Sequence, residues 1–110
     1  MKSKFSVAVL GSTGYVGLEL VYLLSQREDI TIDFLGSENS ANVNIHLIDS
    51  RIKKDLPIIK LNSEFRPSKI EILFLALPHK VSQNYVKKLY NKVKIIDLSA
   101  DFRLDSESKY

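Results

Sequence analysis

The length, composition and charge of this chain are those of a single ordinary globular domain. It has 110 residues, of which 45% are hydrophobic and 26% charged, with a net charge of +3 and no cysteine. No apolar run is long enough to span a membrane, disulfides and zinc–thiolate sites are excluded, and the lysines form no arginine- or aromatic-rich stripe of the kind that binds nucleic acid. We therefore expect a cytoplasmic domain without membrane or nucleic-acid partners.

The hydrophobic pattern predicts strands that alternate with helices. Apolar runs typical of buried parallel strands lie at residues 5–10, 30–35, 70–77 and 93–98, and a short edge strand is indicated at 57–61. Amphipathic helices are predicted at residues 14–26 and 80–91. This alternation favours an α/β fold, a Rossmann-like parallel sheet with flanking helices.

Three of the four glycines lie in residues 11–17, between the first strand and the first helix. The spacing is G-x-x-G-x-x-G, one residue wider at its first gap than the usual dinucleotide fingerprint. Such a turn presents backbone N–H groups and a helix N-terminus to a phosphate, and no Lys-Ser or Lys-Thr follows as a P-loop requires. Either the turn binds a dinucleotide, or its glycines serve only packing. The first interpretation assigns cofactor binding to Gly11, Ser12, Thr13, Gly14, Tyr15, Val16 and Gly17.

The segment after the second strand is expected to meet the adenosine ribose, because ligands of parallel sheets bind beyond the carboxyl ends of the strands. Two acids are available, and an acid at this place bonds the ribose 2′-hydroxyl in NAD sites. Asp33 is expected to be a partly solvated strand residue. Glu38 lies in the loop, where it would repel a 2′-phosphate unless it turns away. Ser37 and Ser40 could hydrogen-bond either cofactor.

Two further segments carry His79 and Arg103. His79 follows Leu77 and Pro78 at the end of the most apolar strand, where it either contacts the cofactor or caps the next helix. Arg103 follows the last strand, and a guanidinium suits bidentate binding of phosphate or carboxylate. Arg103 therefore either binds the anionic group of a substrate or pairs with Asp101 at the surface.

Three motifs resemble the N-acetyl-γ-glutamyl-phosphate reductase family, a branch of the semialdehyde dehydrogenases. They are Gly-Ser-Thr-Gly-Tyr-Val-Gly-Leu-Glu-Leu at residues 11–20, Leu-Ala-Leu-Pro-His at 75–79 with Val-Ser at 81–82, and Ile-Asp-Leu-Ser-Ala-Asp-Phe-Arg-Leu at 96–104. The motifs stand in the family's order and cover nearly the whole chain. The last two distinguish this branch from aspartate-semialdehyde dehydrogenases, which share mainly the glycine turn.

The resemblance implies an incomplete NAD(P)-binding domain of a two-domain, homo-oligomeric enzyme of arginine biosynthesis. The family reduces N-acetylglutamyl phosphate to the semialdehyde with NADPH and releases phosphate, using a cysteine thiolate and an acid–base histidine that lie beyond residue 110. By position, residues 11–17 would hold the pyrophosphate, Ser37 would lie near the ribose, residues 77–79 would line the nicotinamide side, and Arg103 would bind the substrate phosphate. Residues 1–110 are then the N-terminal part of the cofactor domain, with neither a catalytic residue nor a metal ligand.

Two positions depart from the family pattern. The family usually has Ser-Arg where this chain has Ser37 and Glu38, which leaves NAD open beside NADP as the cofactor. It usually has glycine where this chain has Lys80. The alternatives are another semialdehyde dehydrogenase with a longer or carrier-bound substrate, and a free-standing nucleotide-binding module or redox sensor.

Overall fold

The computed structural model describes residues 4–99. Within them the strands are β1 (Phe5–Leu10), β2 (Ile30–Ser37), β3 (Lys60–Leu61), β4 (Ile72–Leu75) and β5 (Lys94–Asp97), and the α-helices are α1 (Tyr15–Ser25) and α2 (His79–Leu89). Short 3₁₀ turns occur at Ile45–Leu47 and Asn62–Glu64. In this part of the chain the strands form one parallel sheet of order β3-β2-β1-β4-β5, which confirms the predicted α/β architecture.

The bounds of the strands depend on which residues pair with a neighbouring strand more than on where an apolar run begins or ends. β1 has its predicted bounds, whereas β2 continues to Ser37 because Gly36 and Ser37 pair with β3. β4 is shorter than its apolar run, because only Ile72–Leu75 pair with β1. The predicted edge strand is reduced to β3, which pairs with the last two residues of β2.

The hydrophobic core lies on both faces of the sheet. In β1, Val7 and Val9 pack on one face, whereas Ala8 and Leu10 pack on the other, as the two-residue period of a strand requires. The first face is covered by α1 and by three buried isoleucines of the loop after β2, namely Ile45, Ile52 and Ile59. The second face is covered by α2, through Tyr85, Val86 and Leu89. Burial on both faces explains why β1 is apolar along nearly its whole length.

The helices present their predicted faces to the sheet, with one exception. On α1, Gly17, Val21 and Leu24 are buried, as their helical spacing predicts. On α2, the helical spacing predicts one face made of Ser82, Tyr85, Val86, Leu89 and Tyr90. Ser82 is buried, but Tyr90 is 69% exposed and does not belong to the packed face. Tyr90 follows the last residue of α2, where the chain turns towards β5.

A β-bulge displaces Asp33 from the regular pairing of β2. Val7 pairs with Ile32 and Ala8 with Phe34, so Asp33 is the extra residue. Its carboxylate accepts a hydrogen bond from the Ser6 hydroxyl on the exposed surface. Asp33 is therefore the solvated strand residue that the sequence predicts, lying well before the carboxyl end of β2.

No helix within residues 4–99 is both long enough and apolar enough to cross a membrane.

Candidate functional site

A crevice opens at the carboxyl ends of the central strands. The chain runs from β1 through α1 to β2 on one side, and from β4 through α2 to β5 on the other. Because these two crossovers lead in opposite directions, β1 and β4 form the switch point at which open parallel sheets bind ligands. Two adjoining cavities lie there, of about 420 and 340 Å³, and they share Gly14, Ala76, Leu77 and Pro78.

The two cavities differ in chemistry. The larger one reaches from the glycine turn to the end of β2 and carries most of the polar groups; besides the shared residues it is lined by Gly11, Thr13, Ser37, Glu38, Asn39, Asn62 and Val81. The smaller one is largely apolar and is also lined by Tyr15, Val16, Leu98 and Ser99. Segments that are distant in sequence thus meet in one crevice. The sequence predicts this for residues 11–17, 36–40, 77–79 and 99–103; each segment contributes lining residues, and 100–103 lie outside the described residues.

Two glycines of the turn are required by close packing. Gly11 has a φ of +78°, and a Cβ there would lie 2.2 Å from the carbonyl oxygen of Ala76. A Cβ on Gly17 would lie 1.9 Å from the carbonyl oxygen of Gly11, so this glycine lets α1 approach the turn. Gly11 and Gly17 therefore shape the backbone of the site, and neither has a side chain that could contact a ligand.

Gly14 is a glycine for a different reason. A Cβ there would meet, among the described atoms, only the Gly11 oxygen at 3.9 Å, and its φ of −84° suits any residue. Gly14 is exposed and precedes α1, whose N-terminus has no side-chain cap within residues 4–99. The first N–H groups of a helix lack intrahelical partners and favour anions. The N–H of Gly14 itself donates to the carbonyl oxygen of Gly11 at 3.4 Å, so the backbone donors left for a ligand are the first N–H groups of α1.

The hydroxyl groups near the turn have distinct roles. The Ser12 side chain is fully buried, and both its hydroxyl and its N–H donate to the carbonyl oxygen of Gly36, at 2.9 and 2.8 Å. Thr13 and Ser37 instead share a hydrogen bond of 2.8 Å between their hydroxyl oxygens at the crevice. Ser37 also accepts a hydrogen bond from the N–H of Ser40, at 3.2 Å. Ser12 thus ties the turn to β2, while Thr13 is the hydroxyl residue of the turn that lines the cavity.

Asn62, in the 3₁₀ turn after β3, supports the glycine turn, and the sequence analysis does not predict this role. Its side-chain oxygen accepts a hydrogen bond of 3.1 Å from the N–H of Gly11. A Cβ on Gly36 would lie 2.5 Å from the same oxygen, so the glycine at the end of β2 makes room for Asn62. The two bonded residues are 51 positions apart, and no local sequence pattern around Asn62 predicts the contact.

His79 does not cap α2 in this structure. It is the first residue of the helix, and the capping position belongs to Pro78, which offers no side-chain bond. The Nδ1 atom of His79 and the hydroxyl of Ser82 are both buried and have no hydrogen-bond partner within the described residues. Leu77 and Pro78 line both cavities, whereas His79 is adjacent to them along the chain.

The chain turns helical after β5, and Asp97 caps this turn. The Asp97 carboxylate accepts hydrogen bonds from the N–H of Ser99 at 3.0 Å and from its hydroxyl at 2.7 Å. Ser99, nearly buried, lines the apolar cavity. Arg103 and Asp101 lie outside the described residues, so the choice between a substrate ligand and a surface pair stays a prediction.

Among the described residues that line the two cavities, the charged one is the acid Glu38. Glu38 is exposed at the mouth of the larger cavity. On α2, burial raises the pKa of the Tyr85 hydroxyl, and the negative charge of Glu38 raises that pKa further. Residues 4–99 contain no group of three or more side chains arranged to hold a metal ion.

Comparison with known proteins agrees with this geometry. Residues 6–110 match the family described as semialdehyde dehydrogenase, NAD binding domain. The chain belongs to this family. A semialdehyde dehydrogenase relative from Ehrlichia ruminantium (strain Gardel), named N-acetyl-gamma-glutamyl-phosphate reductase, is 43% identical over all of this chain and 33% of its own length. A protein of the same name from Campylobacter jejuni is 39% identical over 97% of this chain and 31% of its own length.

The chain spans about a third of the length of the curated relatives it matches. Solved semialdehyde dehydrogenases share its fold. The aspartate semialdehyde dehydrogenase of Candida albicans, solved with NADP, superposes with a TM-score of 0.71 at 21% identity, over 92% of this chain and 31% of its own. Aspartate semialdehyde dehydrogenase II of Vibrio cholerae gives 0.70 at 22% identity, over 86% of this chain and 30% of its own. The predicted Rossmann-like fold and the family resemblance are confirmed.

Proposed function

We propose that this chain forms the nicotinamide-dinucleotide site of an N-acetyl-γ-glutamyl-phosphate reductase. The observation that carries the proposal is the turn of residues 11–17, where the absent side chain of Gly14 leaves the N-terminus of α1 uncovered beside an apolar cavity. The names of the relatives that match along the whole chain support the reaction. The activity is then the reduction of an acyl phosphate to an aldehyde with release of phosphate.

The residues of the crevice fit a dinucleotide. The backbone of the turn and the N-terminus of α1 would bind the pyrophosphate, since packing inside the chain accounts for Gly11 and Gly17 but leaves Gly14 open to a ligand. Thr13 and Ser37, in the larger cavity, would lie near the ribose. The apolar cavity that Leu77 and Pro78 line would take the nicotinamide ring and exclude water.

The cofactor, when bound, supplies hydride for reduction of the acyl group. This chain's own residues would bind and orient it, and His79 would lie on the nicotinamide side. We assign Arg103 to the phosphate of the substrate, because a guanidinium stabilises the charge that accumulates as phosphate leaves. The 110 residues contain no cysteine, so the thiolate that the family uses would come from outside them. Action in the cytoplasm and a homo-oligomeric assembly belong to the same proposal.

The test of the cofactor site is the substitution Gly14→Val in the full-length protein. A Cβ there meets no described atom closer than the Gly11 oxygen at 3.9 Å, so we expect the protein to fold, while the methyl groups of valine would occupy the space in which a pyrophosphate must approach the backbone. We expect the affinity for NADH and NADPH, measured by calorimetry, to fall by about 100-fold or more.

A matched control is Gln26→Val, which introduces the same β-branched side chain at an exposed position at the opposite end of α1. Its effect on affinity should be much smaller. An unchanged affinity in a folded Gly14→Val protein would contradict the assignment of the pyrophosphate to this turn.

A further inference from the structure

Glu38 is an acid at the polar end of the crevice, without an ion-pair partner among residues 4–99. It follows the last residue of β2 and lines the same cavity as Thr13 and Ser37. Within the described part of the chain its carboxylate makes no hydrogen bond and no ion pair. Its negative charge nevertheless acts on Tyr85, which packs on the sheet from α2. The charge of the carboxylate is thus felt in the crevice region, and no described cation neutralises it there.

The described wall of this cavity carries no positive side chain to offset Glu38. Beyond the glutamate it consists of backbone, hydroxyl, amide and apolar groups, contributed by Gly11, Thr13, Gly14, Ser37, Asn39, Asn62, Ala76, Leu77, Pro78 and Val81. Lys60 pairs with Gly36 in the neighbouring strand but is not part of this wall. A dianionic phosphate entering here would meet a carboxylate and no described cation.

The hydroxyl of Ser37 holds the loop after β2 against the glycine turn. It is buried, accepts the N–H of Ser40 and shares a hydrogen bond with the hydroxyl of Thr13, in which either group can donate. Ser37 is neutral, so it does not offset the charge of Glu38 whichever way this bond points.

From this arrangement we propose that Glu38 makes the crevice selective for NAD(H) over NADP(H). A carboxylate at the end of the second strand accepts hydrogen bonds from the free hydroxyls of the adenosine ribose and repels a 2′-phosphate on the same ring. The selectivity is the reverse of the NADPH use that the family resemblance implies. It rests on the proposed function, since it specifies which dinucleotide the same site takes.

The test measures the dissociation constants of NAD⁺ and NADP⁺ with the full-length protein by calorimetry. We expect NAD⁺ to bind roughly tenfold or more tightly than NADP⁺. The substitution Glu38→Arg should reverse the order and shift the ratio of the two constants by about 100-fold or more, because it removes the repulsion and adds a guanidinium for the 2′-phosphate. Glu38→Gln should weaken the discrimination without reversing it.

The matched control is Glu28→Arg, which makes the same change of charge in the exposed segment before β2. Ten residues of sequence, eight of them in an extended strand, place it roughly 25 Å from Glu38. The ratio should stay at the wild-type value, apart from a small effect of net charge. An equal shift in both variants would show a general charge effect and overturn the proposal.

The outcomes separate this inference from the function on which it rests. If NADP⁺ binds more tightly than NAD⁺ in the wild-type protein, the role of Glu38 is wrong while the dinucleotide site stands. If Glu38→Arg leaves the ratio unchanged, selectivity has another source and the inference is again overturned. If neither cofactor binds, the proposed function itself fails, and the inference fails with it.

Discussion

At the scale of single residues, three glycines of one turn serve three different purposes. Gly11 adopts a left-handed conformation beside Ala76, and Gly17 lets α1 contact the backbone of the turn. Gly14 does neither, and its open surroundings are what a ligand needs. Glycine spacing alone therefore does not show which of these positions is open to a ligand. The contacts that a Cβ would make at each glycine show it.

This distinction predicts losses of stability of different size for the same substitution at two positions. Gly17→Ala would gain about 1 kcal/mol of helix propensity, but its Cβ would lie 1.9 Å from the Gly11 oxygen, which is backbone and cannot move aside alone. We expect a net loss of about 3 kcal/mol in the free energy of unfolding, measured by urea denaturation. Gly14→Ala, the control, should lose only about 0.5–1 kcal/mol. A Gly17→Ala protein as stable as wild type would show that α1 does not pack on the turn as described.

At the scale of elements, the site depends on a short turn that has no catalytic chemistry of its own. The 3₁₀ turn Asn62–Glu64 follows β3, and Asn62 reaches across Gly36 to the N–H of Gly11. A residue next to the edge strand β3 thereby holds the glycine turn that follows the central strand β1. The two residues of β3 have a function beyond pairing, since they place Asn62.

Loss of this support should be measurable in stability and in binding together. Asn62→Ala leaves the N–H of Gly11 without its partner, at a cost of about 2 kcal/mol in the free energy of unfolding. Cofactor affinity should fall as well, because the turn is less well held. Asn84→Ala, the same truncation at an exposed position of α2, should change neither quantity appreciably. A stable Asn62→Ala protein with normal affinity would make the bond to Gly11 dispensable.

At the scale of the whole molecule, the order of strands creates the crevice. Opposite crossovers from β1 and β4 bring the turn, the end of β2 and residues 77–78 to one edge of the sheet. Ser99, the hydroxyl that lines the apolar cavity, is bonded to the carboxylate of Asp97 as part of a helix cap. The sequence alone indicates no activating base for the Ser99 hydroxyl, and the structure gives this hydroxyl a carboxylate partner, Asp97, in the geometry of a cap.

We therefore expect the 110-residue chain alone to lack reductase activity. It contains no cysteine for a thioester, and the Ser99 hydroxyl donates to its cap. The measurement is phosphate-dependent reduction of NAD⁺ or NADP⁺ by the pure chain with N-acetylglutamate semialdehyde. Circular dichroism and cofactor titration of the same sample serve as controls for folding and binding. Turnover at a rate above that of buffer would overturn the assignment of the acyl chemistry to residues outside the chain.

The sequence by itself determined the features that depend on neighbours along the chain. The apolar run of β1, the stripe of α1 and the turn between them are local, because two-residue and 3.6-residue periods record which side is buried. The three family motifs are also continuous stretches of sequence, so they indicate the family without reference to contacts in the fold.

Only the tertiary structure decided what depends on register and on distant partners. The bulge that turns Asp33 outward, the bond from Gly11 to Asn62 and the exposure of Tyr90 are invisible in any short window. The sequence left Glu38 free to turn towards the site or away from it, and the fold put it in the wall of the cavity. The physical reason is that pairing and packing join segments 65 residues apart in sequence, such as β1 and β4, and a side chain's role is set by what the other segment brings to it.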